Sequence, residues 1–205
     1  MLPWWQWPQE FKTKNNTFLK SWIKKKSKEI LIKKLIQWHL DEQWRAIKNF
    51  AKSYNIKLIG DLPFYVSRDS VDVWSNKSLF SIFKNGELIF QSGVPPDYFS
   101  STGQLWGTPT YFWAKHKRSN FNWWRKRFKR QFEYVDLLRL DHFRGLAGYW
   151  RVSGYAETAI HGKWINSPGR KLLSKLKKDL GADYLPIIAE DLGVITPDVE
   201  KLRNN

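Results

Sequence analysis

The stretch "LLRLDHFRGLAGYW", residues 137–150, decides how the rest of the chain is read. Leu137, Leu138 and Leu140 make an apolar run that Arg139 interrupts and Asp141 closes. Side chains on a strand alternate faces, so Arg139 and Asp141 point one way while Leu138 and Leu140 point the other. A carboxylate at the end of an apolar run is costly unless it is paired or used. Two readings stay open. Either Arg139, Asp141 and Arg144 form a structural ion-pair network, or Asp141 is a working acid whose charge Arg139 supports.

Working outward, two further short runs end in acids. "IKLIGDLPFYV" (56–66) stops its β-branched run at Gly60-Asp61, and "YLPIIAED" (184–191) ends in Glu190 and Asp191. Between the runs lie helical patterns. After a cap expected at Ser119, Trp124, Phe128 and Phe132 recur at four-residue spacing. Leu172, Leu173, Leu176 and Leu180 line one side of a helix over 168–180, with Gly181 as its stop. Thr196-Pro197 reads as the start of another helix. Upstream, 27–40 and 42–54 read as two helices, the second with Trp44, Ile47, Phe50, Ala51 and Tyr54 at three- and four-residue spacing. Strand, helix, strand, helix, strand is the alternation of a parallel α/β architecture. In barrels of that kind the site sits at the C-terminal ends of the strands. Asp61, Asp141 and Glu190 are read as occupying those ends. Glu190 follows the apolar "LPIIA", a setting that suits a general acid. Adjacent parallel strands lie about 4.8 Å apart, so Asp141 and Glu190 could stand at the ~5–5.5 Å of a retaining glycosidase.

Residues 64–120 break into turns: "NG" at 85–86, "GVPPDYF" at 93–99 and "STGQLWGTPTY" at 101–111. So long a segment with so many aromatics is expected to be an ordered inserted loop subdomain over the site. The chain carries 13 Trp, most of them expected in the core.

Composition sets bounds. The 205 residues are 42% hydrophobic, which is globular, and contain no Cys, so disulfide scaffolds and thiolate-bound metals are excluded. No metal or cofactor is expected. No run of about 18 apolar residues exists to span a membrane, so no membrane partner is expected. The opening "MLPWWQWPQEF" lacks the basic-then-apolar layout of a signal peptide. The net charge of +16 first suggests nucleic acid. Its distribution argues otherwise. Residues 115–130 hold 8 Lys and Arg with no acid, whereas the turn-rich 56–114 hold 4 against 5. The excess belongs to solvated helix faces, and no nucleic-acid partner is expected.

Four motifs carry a resemblance: "LLRLDHFRGLAGYW", "LPIIAEDLGVITPDV", "IKLIGDLPFYVSRDSVDVW" and "SGVPPDYFSSTGQLWGTPTY". Together, with "WHLDEQWRAIKNFAKSYNIKLIGD" upstream and the match running in order through most of residues 1–203, the sequence resembles amylomaltase, the 4-alpha-glucanotransferase also called disproportionating enzyme. The resemblance implies part of an α-amylase-like (β/α)8 TIM barrel. About three strands are present, residues 1–205 form the central part of one catalytic domain, and 64–120 are the inserted subdomain. It implies Asp141 as nucleophile and Glu190 as acid/base. Arg139 would contact the nucleophile, and Asp61, Asp97, Trp106 and His142 would belong to the sugar-binding surround. The substrates implied are α-1,4-glucans and malto-oligosaccharides, in a bacterial cytoplasm or, in a photosynthetic eukaryote, a plastid. The family's third carboxylate, an Asp after a His on a later strand, has no counterpart here. The chain is therefore expected to be an internal fragment, with little or no activity alone. A glucan-binding remnant and a hydrolase of the same clan are the alternatives.

Overall fold

The computed structural model describes residues 2–192 and 195–204. The chain divides into two units, Met1–Leu58 and Ile59–Asn205.

The first unit is helical. After a 3-10 turn at Trp4–Gln6 come α1 (Gln9–Lys12), α2 (Asn16–Lys25) and α3 (Ser27–Ser53). Asn15 caps α2, its side-chain oxygen accepting from the Phe18 N–H at 3.0 Å. The two helices expected over 27–54 are one helix of 27 residues. No Gly or Pro interrupts Ser27–Ser53, and Asp41 at the expected break instead pairs with Arg45 one turn on, at 2.8 Å.

The second unit holds two sheets. The first is parallel, in the order β1-β4-β7: β1 (Ile59–Pro63), β4 (Leu137–Asp141) and β7 (Ile187–Ala189). Helices α6 (Asn122–Tyr134) and α7 (Gly169–Leu180) precede β4 and β7 in the chain. In β4, Leu138 and Leu140 are buried and Arg139 and Asp141 half-buried on the other face, as the alternation requires. Trp124 and Phe128 of α6 and Leu172 and Leu176 of α7 enter the core. Gly181 ends α7 at φ 59°, the left-handed cap that glycine takes without strain. The last helix, α8 (Pro197–Arg203), starts after Thr196.

Three expectations need correction. Asp61 does not end its strand: β1 continues through Leu62 and Pro63, and Asp61 stands in register with Arg139. A proline is tolerated there because Pro63 is the last residue of β1 and the next bond to β4 comes from the Phe64 N–H. Ser119 does not cap α6. Asn120 and Phe121 both adopt left-handed φ (51° and 56°), reversing the chain so that the Phe121 N–H reaches His116 O at 2.7 Å, and α6 begins after them. Of the tryptophans, only Trp4, Trp113 and Trp124 are buried among the described residues.

Residues 64–120 are not turns alone. They form α4 (Val71–Ser75), β2 (Phe90–Val94), β3 (Gln104–Pro109) and α5 (Trp113–Arg118). Their strands join β5 (Gly148–Ser153) and β6 (Gly162–Asn166) in an antiparallel sheet ordered β3-β2-β5-β6. Half of that sheet thus follows β4 in the chain.

An aromatic core ties these elements together: Phe64, Trp124 and Tyr149 are buried in it, and Phe80, Tyr111, Trp113 and Trp123 surround His116, which is fully buried. The His116 Nε2–H donates to Leu79 O at 3.2 Å. Desolvation pushes the imidazole down to about 4, the Leu79 bond opposing only in part. The unfolded chain therefore takes up a proton near pH 6.5 that the folded chain refuses until about pH 4. Stability present above pH 6.5 is lost as the pH falls through that window, by about 3 kcal/mol from this residue. A His116→Phe variant should show a flatter dependence of the urea midpoint on pH between 6.5 and 4; an unchanged slope would count against a neutral His116.

Candidate functional site

The site forms where β1, β4 and β7 reach their C-terminal ends. The last pair between β4 and β7 is Leu140 with Ala189, and one step further along each strand come Asp141 and Glu190. Backbone bonds carry the register on: the Glu190 N–H donates to Leu140 O at 3.1 Å, and the Phe143 N–H to Glu190 O at 3.2 Å. On the other side Pro63 stands opposite Asp141, and the Phe64 N–H donates to Asp141 O. Asp141 is therefore bonded directly on the β1 side, while on the β7 side Leu140 and Phe143 make the main-chain bonds that flank it.

Arg139 bridges two carboxylates. Its Nη1 reaches Asp61 Oδ1 at 2.7 Å and its Nη2 reaches Asp141 Oδ1 at 3.0 Å. All three side chains are substantially exposed, so solvent screens this pairing and it contributes little to stability. Its consequence is orientation. The guanidinium fork takes one oxygen of Asp141 and leaves Oδ2 free of it.

Glu190 is held by backbone amides. Its Oε2 accepts from the His142 N–H at 2.7 Å and its Oε1 from the Leu192 N–H at 2.8 Å. The apolar surround expected from "LPIIA" is thus replaced at the carboxylate by polar main chain. His142 reaches this position with φ 52°, a left-handed conformation uncommon for a residue with a side chain. Desolvation, then the nearby charge of Arg144, lowers its imidazole to about 4, with Asp141 opposing. His142 is neutral at pH 7.

Beside Asp141 lies a cavity of about 230 Å³ lined by Pro63, Phe64, Tyr65, Trp106, Thr108, Asp141 and His142. Trp106 meets the His142 ring edge-on, centroids 4.9 Å apart, and packs against Tyr65 at 5.9 Å. Asp61, Arg139, Asp141, His142, Glu190 and Trp106 are thus assembled at one end of the sheet. Asp97 is placed differently. It is exposed, and its Oδ1 accepts from the Phe99 and Ser100 N–H groups of its own turn. Tyr65 and Thr108 were not singled out from the sequence. Tyr65 lies four residues past Asp61, where the chain has left the strand and periodicity no longer marks a face. Among the described residues no cluster of three or more His, Asp or Glu could hold a metal, and no helix is long and apolar enough to cross a membrane.

The family model described as 4-alpha-glucanotransferase matches residues 1–205. A 4-alpha-glucanotransferase of Synechocystis sp. is 46% identical over 202 residues, covering 98% of this chain and 40% of that protein. The chloroplastic/amyloplastic 4-alpha-glucanotransferase of Solanum tuberosum is 40% identical over 204 residues, covering 100% of this chain and 35% of that protein. Among solved structures, the amylomaltase from Streptococcus agalactiae in complex with acarbose superposes with a TM-score of 0.92 at 38% identity. That match covers 99% of this chain and 41% of the other. The chain spans about a third to two fifths of the length of the curated relatives it matches.

Proposed function

The chain belongs to the 4-alpha-glucanotransferase family, and from that premise we propose that it carries the nucleophile and the acid/base of a retaining transfer between α-1,4-glucan chains. Asp141 attacks the anomeric carbon of a donor glucan while Glu190 protonates the departing oxygen, leaving a covalent glucosyl intermediate on Asp141. Glu190 then takes the proton from the 4-hydroxyl of an acceptor glucan, whose oxygen displaces Asp141. Arg139 orients the nucleophile from one side, with Asp61 steadying the guanidinium. His142 and Trp106 line the sugar-binding surround, to which Asp97 contributes from its loop. The three parallel strands belong to a (β/α)8 barrel of the α-amylase-like type, with residues 64–120 supplying a subdomain over the site. The acarbose bound in the Streptococcus agalactiae amylomaltase supports a malto-oligosaccharide ligand. A bacterial cytoplasm or a plastid fits the sources of the relatives.

The observation that carries this reading is a pair of carboxylates at adjacent strand ends, Asp141 held by an arginine on the wall of an aromatic cavity and Glu190 held by backbone amides. The test is disproportionation of maltotriose to glucose and longer maltodextrins. It is run on the chain alone, where little or no turnover is expected. It is also run with residues 1–205 grafted in place of the segment they match in the Synechocystis relative. A folded graft that binds maltotriose without turning it over would overturn the proposal.

Trp106 offers a second handle. With its ring on the cavity wall against His142, it keeps water from the face of Asp141 and favours a glucan acceptor. A Trp106→Ala change in the graft is expected to raise the hydrolysis-to-transfer ratio several-fold. The measurement is glucose-release against chain-length products, and an untouched ratio would count against this role.

A further inference from the structure

The second sheet brings a pair of hydroxyls to the edge of the site. Ser92 on β2 and Thr108 on β3 are hydrogen-bonded through their side-chain oxygens. Ser92 stands opposite Arg151 in the pairing of β2 with β5, so its side chain shares the face that carries Tyr149. Tyr149 is buried, and its ring meets that of Tyr65 edge-on with centroids 6.1 Å apart. Thr108, bonded on this face, lines the cavity beside Asp141 together with Tyr65.

Two hydroxyls bring two protons to one bond. Ser92 is fully buried, and among the described residues its hydroxyl has Thr108 as its one partner. Were Thr108 the donor, the Ser92 proton would be left in the core without an acceptor, which buried donors rarely tolerate. Ser92 therefore donates, the Thr108 oxygen accepts, and the Thr108 proton is unspent. The other polar groups of the wall are placed differently. The Trp106 N–H is spent on Gln104 Oε1 at 3.2 Å, and the ionised Asp141 carboxylate only accepts. The Tyr65 hydroxyl and His142 Nε2 lack partners, but both atoms are shut off from solvent, whereas Thr108 is half-buried.

We infer that Thr108 is a sugar-binding residue of the donor site: its hydroxyl donates a hydrogen bond to a hydroxyl oxygen of the glucosyl unit that Asp141 attacks. Ser92 sets the direction of that donor by occupying the Thr108 oxygen from behind. The wall then holds the sugar with one aimed proton beside the ring of Trp106, and it selects for a ring that carries an oxygen at the matching position.

This inference rests on the assignment of Asp141 as nucleophile, and the experiment keeps the two apart. In the graft, Thr108→Val and Thr108→Ser are compared with Asp141→Asn on α-maltosyl fluoride and on its 2-, 3- and 6-deoxy forms, each lacking one hydroxyl of the fluoride-bearing ring. Fluoride release gives kcat/KM for each donor. The parent is expected to lose about 10-fold on one deoxy donor through this bond, beyond any loss intrinsic to the donor. Thr108→Val should lose about 10-fold on the full donor and show no such further loss on that deoxy donor, while Thr108→Ser should stay within about 3-fold of the parent throughout. Because valine strands the Ser92 proton, the double variant Ser92→Ala/Thr108→Val, which removes both hydroxyls, is run beside it and should show the same pattern. A loss by the same factor on all four donors, in the single and the double variant, would overturn the role of Thr108 while Asp141→Asn remains inactive. An unchanged rate of Thr108→Val on the full donor would do the same. Fluoride release by Asp141→Asn within about 10-fold of the parent would overturn the nucleophile assignment and this inference with it.

Discussion

Asp141→Asn in the graft is expected to lower maltotriose disproportionation by about 10⁴-fold or more, the scale on which an active site loses its nucleophile. The amide is isosteric, but its oxygen is too weak a nucleophile to form the glucosyl intermediate. Three features of the site make this substitution clean. The backbone bonds that hold residue 141 and its surroundings, from the Phe64 N–H to its carbonyl and between Glu190 and both Leu140 and Phe143, do not involve the side chain. The side chain is 44% exposed, so the change in folding stability should stay within about 1 kcal/mol. Arg139 keeps its 2.7 Å partner in Asp61, so no cation is stranded. Calorimetric titration with maltotriose should give an affinity within a few-fold of the parent. Transfer within 10-fold of the parent would remove Asp141 from the role of nucleophile.

Glu190→Gln is expected to cost about 10²–10⁴-fold on maltotriose, the usual contribution of a positioned proton donor. It should cost far less on a donor whose leaving group needs no proton. Unlike Asp141→Asn it should also lower stability. The two oxygens of Glu190 each face a main-chain N–H, from His142 and from Leu192. Glutamine has one oxygen and one NH₂, so one N–H must face another donor. That mismatch is expected to cost about 1–3 kcal/mol, seen as a lower urea midpoint in the chain alone. A variant as stable as the parent would mean that the two amide bonds do not hold the carboxylate in solution.

How much of this the sequence disclosed depends on how local the cause was. The placement of Arg139 and Asp141 on one face of β4 follows from strand alternation over three residues, and the structure has it so. That Glu190 would come level with Asp141 required only that two strand ends be read correctly. The second sheet was hidden because its pairing is not local. Phe90–Val94 pairs with Gly148–Ser153 some sixty residues on, and a glycine- and proline-rich stretch shows its turns more loudly than its short strands. The register of Asp61 with Arg139 was hidden for a related reason: where a strand stops depends on its neighbour as well as on its own residues. Trp106 and Asp97 were reached only through the family resemblance. Trp106 borders the cavity, and Asp97 stands in its own turn. Least visible of all were the donors on Glu190, since they are backbone groups that any residue other than proline would supply.

That last point bears on what variation the chain can absorb. Because the Glu190 carboxylate is gripped by the amides of positions 142 and 192, the side chains there can change while the grip persists. Position 142 carries one further restriction, a left-handed backbone that glycine and asparagine adopt more readily than histidine does. If His142 contacts sugar as proposed, exchanging its imidazole would alter what the cavity accepts while the His142 N–H stays on Glu190. One residue then serves two ends through separate atoms, its ring toward the cavity and its amide toward the carboxylate.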